Sequence, residues 1–233
     1  MTLNKQAGNM YPWCDYTWNP IRGKCPHECG YCYMKKFKVG ELRLDEKSLN
    51  DDLGKGNTIF VGSSTDMFAD AVPTEWISRV LSRCNFRIGN TYLFQTKNPS
   101  RFFDFLESFP SGVILGTTIE TNRESPSTAP DAMSRMIAMS AEPLKGFTKF
   151  VSIEPVMDFD LPILSSWMYR IRPKFISIGA DSKGNNLTEP DAEKLKLFIG
   201  EMQKLTEVKV KTNLGRIMNK GAEIKKDVVL RGD

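Results

Sequence analysis

Residues Cys25-Pro26-His27-Glu28-Cys29-Gly30-Tyr31-Cys32 place three thiols within eight positions. Cysteine thiolates are the usual ligands of iron–sulfur clusters, and a [4Fe-4S] cube takes four of them. Three leave one iron open to an exchangeable ligand, and Gly30 lets the backbone wrap closely round a cube. Zinc is the first competitor, because the only histidine of the chain, His27, lies among the cysteines and would complete a Cys3His set. Structural zinc sites usually join two ligand pairs about a dozen residues apart, whereas all four groups here sit in one small loop. A redox dithiol at Cys29 and Cys32 would leave Cys25 unexplained. With Cys14 and Cys84 the total is five, an odd number and a poor disulfide framework, so a metal site accounts better for the crowding.

The elements that must hold this loop follow one pattern: a short β-branched or aromatic run, a polar turn, then a helical stretch. The expected strands are Thr58–Gly62, Thr91–Thr96, Val113–Ile119, Phe150–Ile153, Phe175–Ile178 and Val208–Lys211, with a first one near Cys14–Trp18. Helical patterns fall near Thr74–Arg83, Ser100–Ser108, Ala129–Ser140, Leu161–Tyr169 and Pro190–Leu205, and the cysteine loop itself opens a further helix. Pro73, Pro99, Pro130 and Pro190 stand at or beside helix starts, where a missing N–H costs nothing. Alternating strand and helix implies parallel strands joined by right-handed crossovers. The expected fold is α/β, a partial TIM-like (β/α)6 barrel of parallel strands, with a doubly wound open sheet as the other arrangement of the same elements. At 233 residues without a dividing linker, one domain over 1–233 is expected, with a cluster loop at 19–33 and a basic segment at 204–233. No apolar run approaches a membrane span and the start lacks the order of a signal peptide, which points to a cytoplasmic protein with no membrane partner.

Polar residues recur just after the strands: Ser63, Ser64 and Asp66; Gln95 and Lys97; Thr118, Glu120 and Asn122; Glu154; and Asp181. In parallel α/β folds these C-terminal strand ends form the ligand face, so the groups should converge on one pocket. Taken singly, each also suits a turn or a helix cap.

With these residues in view, the sequence resembles the radical S-adenosylmethionine (SAM) superfamily, whose signature is CxxxCxxC with an aromatic residue, here Tyr31, before the last cysteine. The order of Thr17-Trp18-Asn19-Pro20, Phe60-Val61-Gly62-Ser63, Thr96-Lys97-Asn98-Pro99 and Ser152-Ile153-Glu154-Pro155 is similar to that of a phage-associated radical-SAM-like family of largely unknown function. The resemblance implies that Cys25, Cys29 and Cys32 bind a [4Fe-4S] cluster whose open iron chelates SAM. Reductive cleavage would then give a 5′-deoxyadenosyl radical that abstracts hydrogen from a substrate, with the electron coming from a donor such as flavodoxin or ferredoxin. It places Ser63, Ser64 and Asp66 at the SAM amino group, although the Gly-Gly-Glu turn common there is missing. Thr118, Glu120 and Asn122 fall near the ribose, and Gly179 and Asp181 near the adenine. Glu154 points to the pocket, Lys97, or else Arg123, would meet a substrate anion, and Cys14 is a candidate hydrogen-atom donor. Trp13, Trp18, Trp76 and Trp167 read as core or pocket wall.

A histidine-poor chain agrees with radical rather than acid–base chemistry. From Lys204 onward stand eight basic and four acidic residues, a surplus equal to the chain's net charge of +4. That basic end suits phosphates, so the expected substrate is a nucleobase or nucleotide, as in phage DNA modification. A peptide or small metabolite is the nearest alternative. A non-catalytic zinc- or cluster-stabilised module that binds nucleic acid is the rival of another class.

Overall fold

A computed structural model describes residues 3–6 and 13–219. The chain opens with β1 (Leu3–Lys5), β2 (Tyr16–Trp18) and β3 (Ile21–Arg22), passes through the cysteine loop, and continues with β4 (Arg43–Leu44) and α1 (Glu46–Leu49). Strand and helix then alternate: β5 (Thr58–Val61), α2 (Thr74–Phe86), β6 (Thr91–Thr96), a 3-10 run over Pro99–Ser108, β7 (Ile114–Thr118), α3 (Ala132–Ser140) and β8 (Thr148–Ile153). There follow α4 (Leu161–Ile171), β9 (Phe175–Ile178), α5 (Ala192–Leu205), β10 (Glu207–Val210) and α6 (Gly215–Met218).

Eight strands form one sheet in the order β1-β2-β5-β6-β7-β8-β9-β10. From β2 onward every neighbour is parallel and the spatial order follows the chain without reversal, while β1 is an antiparallel edge on β2. A doubly wound sheet reverses its strand order at a switch point. This one does not, so it is the partial barrel, with seven parallel strands and six crossovers. The strand segments expected from sequence all appear. β1 and the small β3–β4 pair are additions, because runs of two or three residues carry no usable periodicity.

The period-two alternation of each strand sorts side chains between two layers. Ile59, Val61, Tyr92, Phe94, Leu115, Val151, Ile153, Ile176 and Ile178 face outward into the main core beneath the helices. Phe60, Leu93, Phe150 and Phe175 face inward and plug the barrel with Cys14 and Trp13. Phe150 and Phe175 stack with centroids 5.0 Å apart, and Trp13 lies 5.4 and 5.1 Å from them. Gly116 is required here, because a Cβ on it would stand 2.1 Å from the Phe150 ring.

Helix starts follow the proline and cap signals. Pro73 precedes α2, and Asp131 and Asp191, each after a proline, accept from the backbone N–H groups of Ser134 and Lys194 to cap α3 and α5. Two helix expectations need correction. The stretch after β6 is a 3-10 run broken at Phe105 (φ −130°, ψ 15°), and its three-residue spacing lets Phe102 and Phe105 both pack on Phe68, 4.8 and 6.0 Å away. The helix after the cysteine loop is one 3-10 turn, Tyr33–Lys36, with no buried residue to extend it.

Candidate functional site

A cavity of about 560 Å³ opens at the C-terminal ends of the strands. Cys25, Cys29 and Cys32 line it together with Tyr31, and so do Ser63, Ser64 and Asp66 after β5, Lys97 after β6, Thr118 of β7, Glu154 after β8 and Asp181 after β9. The structure therefore brings most of the expected strand-end groups to one place. Cys14, Glu120, Asn122 and Gly179 do not line it.

The cysteine loop is clamped from two sides. On the barrel side His27 Nε2 lies 2.9 Å from Asp66 Oδ2, and that carboxylate also accepts from Thr96 Oγ1 (2.9 Å) and the backbone N–H of Lys97 (2.8 Å) and Phe68 (3.0 Å). Burial opposes ionisation of Asp66, but the His27 hydrogen bond and charge overcome it and hold the carboxyl below its usual range. On the other side the loop after β7 grips the cysteines: Gly30 N–H donates to Pro126 O (2.6 Å), Thr128 N–H to His27 O (2.9 Å), and Ser127 Oγ sits 3.2 Å from Cys29 Sγ. A Cβ on Gly30 would stand 3.1 Å from Pro126, so the glycine serves this close approach. Asp66 is thus a positioning residue, with its acceptor sites already filled by protein, rather than a free ligand for an amine.

Asn19 explains the Trp-Asn-Pro motif. Its side-chain oxygen accepts from Ser63 Oγ (3.1 Å), Ser64 Oγ (3.1 Å) and Ser64 N–H (3.0 Å), which fixes the turn after β5. Tyr33 donates to Ser63 O at 2.9 Å and ties the third cysteine's neighbour to the same turn.

Glu120 is fully buried. It bonds Lys97, Tyr31 and Arg135, the last at 2.9 Å, and the Lys97 ammonium also lies 4.5 Å from the Tyr31 ring centroid. Burial opposes the Glu120 charge, yet Lys97 and then Arg135 outweigh it and bring the carboxyl down to about 2. Burial, followed by the Glu120 charge, pushes the Tyr31 phenol far above its ordinary range. The two expectations placed on this region change accordingly: Glu120 faces a protein network, not the cavity, and Lys97 enters the cavity already paired.

Across the barrel Glu154 pairs with Lys211 at 2.5 Å over Gly179, where a Cβ would stand 2.8 Å from the Glu154 carboxylate. Burial raises the Glu154 carboxyl, and Lys211 only partly offsets it. Gly179 is therefore a spacer beneath an ion pair. Asp181 accepts from the backbone N–H of Lys183 (3.0 Å) and Asn185 (2.5 Å) and so shapes the loop after β9 at the cavity's edge. Asn122 accepts from Asp160 N–H (2.7 Å) and donates to Asp160 Oδ2 (2.9 Å), which directs it away from the cavity, and Arg123 is likewise engaged by Asp158 and Asp160. Cys14 is buried in the barrel plug, where burial and then Asp15 push its thiol up to about 12.

Sequence reasoning missed Ser127, Arg135 and Lys211. Arg135 had a signal: it shares the apolar face of α3 with Ala132, Met136 and Met139, and an arginine there requires a buried partner. Of the four described basic residues of the C-terminal segment three are paired, Lys209 with Glu207, Lys211 with Glu154 and Arg216 with Glu189, and only Lys204 stands exposed outside these pairs. Lys220, Lys225, Lys226 and Arg231 lie outside the described residues.

None of the five cysteines is in a disulfide. Among the described residues no three Cys, His, Asp or Glu side chains converge closely enough for a single metal ion, and His27 is turned to Asp66. That geometry does not suit a tetrahedral zinc ion held by the loop. Cys25, Cys29 and Cys32 all line the cavity, and three thiols are the donor set that a [4Fe-4S] cluster with one open iron would take.

Residues 9–170 match the model of a family described as a protein of unknown function, DUF5131. The chain belongs to that family. No curated protein matches the sequence of this DUF5131 member. Among solved structures its fold is similar to a cysteine-to-alanine mutant of spore photoproduct lyase with dinucleoside spore photoproduct, at 11% identity and a TM-score of 0.64, covering 88% of this chain and 78% of that one. It is also similar to a double mutant of that lyase with bound AdoMet and dinucleoside spore photoproduct, at 12% identity and a TM-score of 0.58, covering 86% and 64%. No helix among the described residues is long and apolar enough to cross a membrane.

Proposed function

We propose that this chain is a radical SAM enzyme acting on a nucleobase or nucleotide. The observation that carries the reading is that the three cysteines of the CxxxCxxC motif line the same cavity as the strand-end polar groups. Cys25, Cys29 and Cys32 would hold a [4Fe-4S] cluster. When bound, the cluster and SAM supply one-electron cleavage of a carbon–sulfur bond and, through it, hydrogen-atom abstraction from an unactivated position. The chain's own residues do the rest. Asp66 and His27, with Ser127 and Thr128, fix the loop; the Ser63–Ser64 turn, Thr118 and Asp181 offer hydrogen bonds to a polar cofactor; and Tyr31, Tyr33 and Phe60 wall it from water. Glu120 holds Tyr31 and Lys97 in place, and the Glu154–Lys211 pair presents charge to the substrate. The fold's likeness to a lyase solved with bound AdoMet and a dinucleoside supports both the cofactor and the substrate class.

The test is anaerobic. The reconstituted chain, given SAM and a strong reductant or a flavodoxin or ferredoxin system, should form 5′-deoxyadenosine; a colourless protein that leaves SAM intact would overturn the reading.

A further inference from the structure

The charges lining the cavity divide into two sets. Asp66 is hydrogen-bonded to His27, Lys97 is paired with Glu120 and Glu154 with Lys211, while the Asp181 carboxylate accepts from the backbone N–H groups of Lys183 and Asn185. Lys36 and Lys183 line the same cavity, are exposed at its mouth, and have no carboxylate partner among the described residues. Phe37, beside Lys36, leaves 52% of its surface exposed at that mouth. The Lys36 ammonium lies 5.1 Å from the Phe37 ring centroid, so the aromatic and the cation stand together at the mouth.

Deeper in, the wall between β6 and β8 is neutral: Gln95, Thr118 and Ser152. Gln95 donates to Thr118 Oγ1 at 2.8 Å, and its buried amide oxygen has no partner. Whichever way the amide is turned, one of its hydrogen-bonding groups stays unmatched. A buried polar atom left so is expensive, and a ligand edge carrying N–H or C=O would satisfy it. The cavity thus has a neutral hydrogen-bonding floor, aromatic walls at Tyr31, Tyr33 and Phe60, and a mouth that carries two lysines and the Asp181 carboxylate.

Resting on the reading of this cavity as an enzyme site, we infer that it takes its substrate as a phosphorylated nucleoside: Lys36 and Lys183 bind the phosphate at the mouth, Phe37 packs beside it, and Gln95 reads a neutral edge of the base at the floor. A nucleobase supplies the flat apolar faces and the polar edge, and its phosphate supplies the charge that the two lysines lack. The volume of about 560 Å³ lies within the range of small-molecule sites.

The probe is a fluorescein-labelled single strand of about 12 nucleotides, bound to the cluster-reconstituted full chain and followed by anisotropy across a salt series. Binding should weaken with salt, and the K36A/K183A variant should lose about tenfold or more in affinity and reduce the salt slope by about 1. Nucleoside monophosphates should compete far better than the matching nucleosides, and Q95L should weaken the monophosphates without changing the slope. Competition by monomer as strong as by the strand identifies a free nucleotide, and much tighter binding of the strand identifies nucleic acid; both support phosphate recognition at the mouth. K196A, on the outer face of α5, should bind as wild type. The inference is overturned if K36A/K183A binds as wild type, if the whole salt dependence resides in K225A/K226A, or if a glutamate-rich peptide or bare nucleosides compete as well as monophosphates. Formation of 5′-deoxyadenosine without substrate is scored separately, so loss of nucleotide binding and loss of SAM cleavage are distinguishable.

Discussion

The two ends of the barrel use the same side-chain type for opposite purposes. At the N-terminal end Cys14 sits among Trp13, Phe60, Leu93, Phe150 and Phe175, and burial holds its thiol in the protonated form. At the C-terminal end Cys25, Cys29 and Cys32 line a cavity and are framed by Asp66, His27 and Ser127. The inward faces of the same strands supply both ends: Phe60 and the Ser63–Ser64 turn follow one another on and after β5, and Phe150 and Glu154 on and after β8. Packing density governs one end and paired charge the other, so substitutions at the two ends should fail in different ways.

The largest contrast is between cysteines. Cys29→Ala should abolish the brown colour and 5′-deoxyadenosine formation while the chain stays folded by circular dichroism; SAM cleavage retained by this variant would break the comparison. Next, Glu120→Ala would leave Arg135 and Lys97 buried without their carboxylate, a loss of roughly 3–5 kcal/mol read from denaturant midpoints. Titration offers the same test without mutation. The Glu120 carboxyl is depressed to about 2 from an unfolded value near 4.5, so its stabilisation is complete above about pH 4.5 and is lost as pH falls through the folded value near 2. That window should be missing in a Glu120→Gln chain. At the plug, Gly116→Ala forces a methyl onto Phe150 and should cost about 1–3 kcal/mol without altering cluster content. Cys14→Ala is the smallest change, about 1 kcal/mol in stability with activity retained. Loss of turnover there would restore Cys14 as a hydrogen-atom donor.

Much of this is legible in the chain, and the reasons for the rest are physical. Strand positions and their C-terminal polar groups follow from local alternation and from turn chemistry, both of which one sequence displays. Partner choice does not. Asp66 and Glu120 stand at strand ends as expected, but their acceptors are filled by His27 and Arg135, 39 and 15 residues away in the chain, and no local pattern encodes such closure. Asn122 turns outward because Asp160, at the start of α4, offers it both a donor and an acceptor. Ser127 sits in a Ser-Pro-Ser-Thr loop that reads as an ordinary turn until the cysteine loop folds onto it. The 3-10 run after β6 reads as an α-helix because phenylalanines three apart satisfy either period over so short a length.

The claim that three cysteines leave one iron open is tested most directly by electron paramagnetic resonance. The anaerobically reconstituted, reduced chain should show a [4Fe-4S] signal whose g-values shift when SAM is added, as an open iron gains ligands. A signal indifferent to SAM, or a chain that binds zinc and gives no signal, would contradict it.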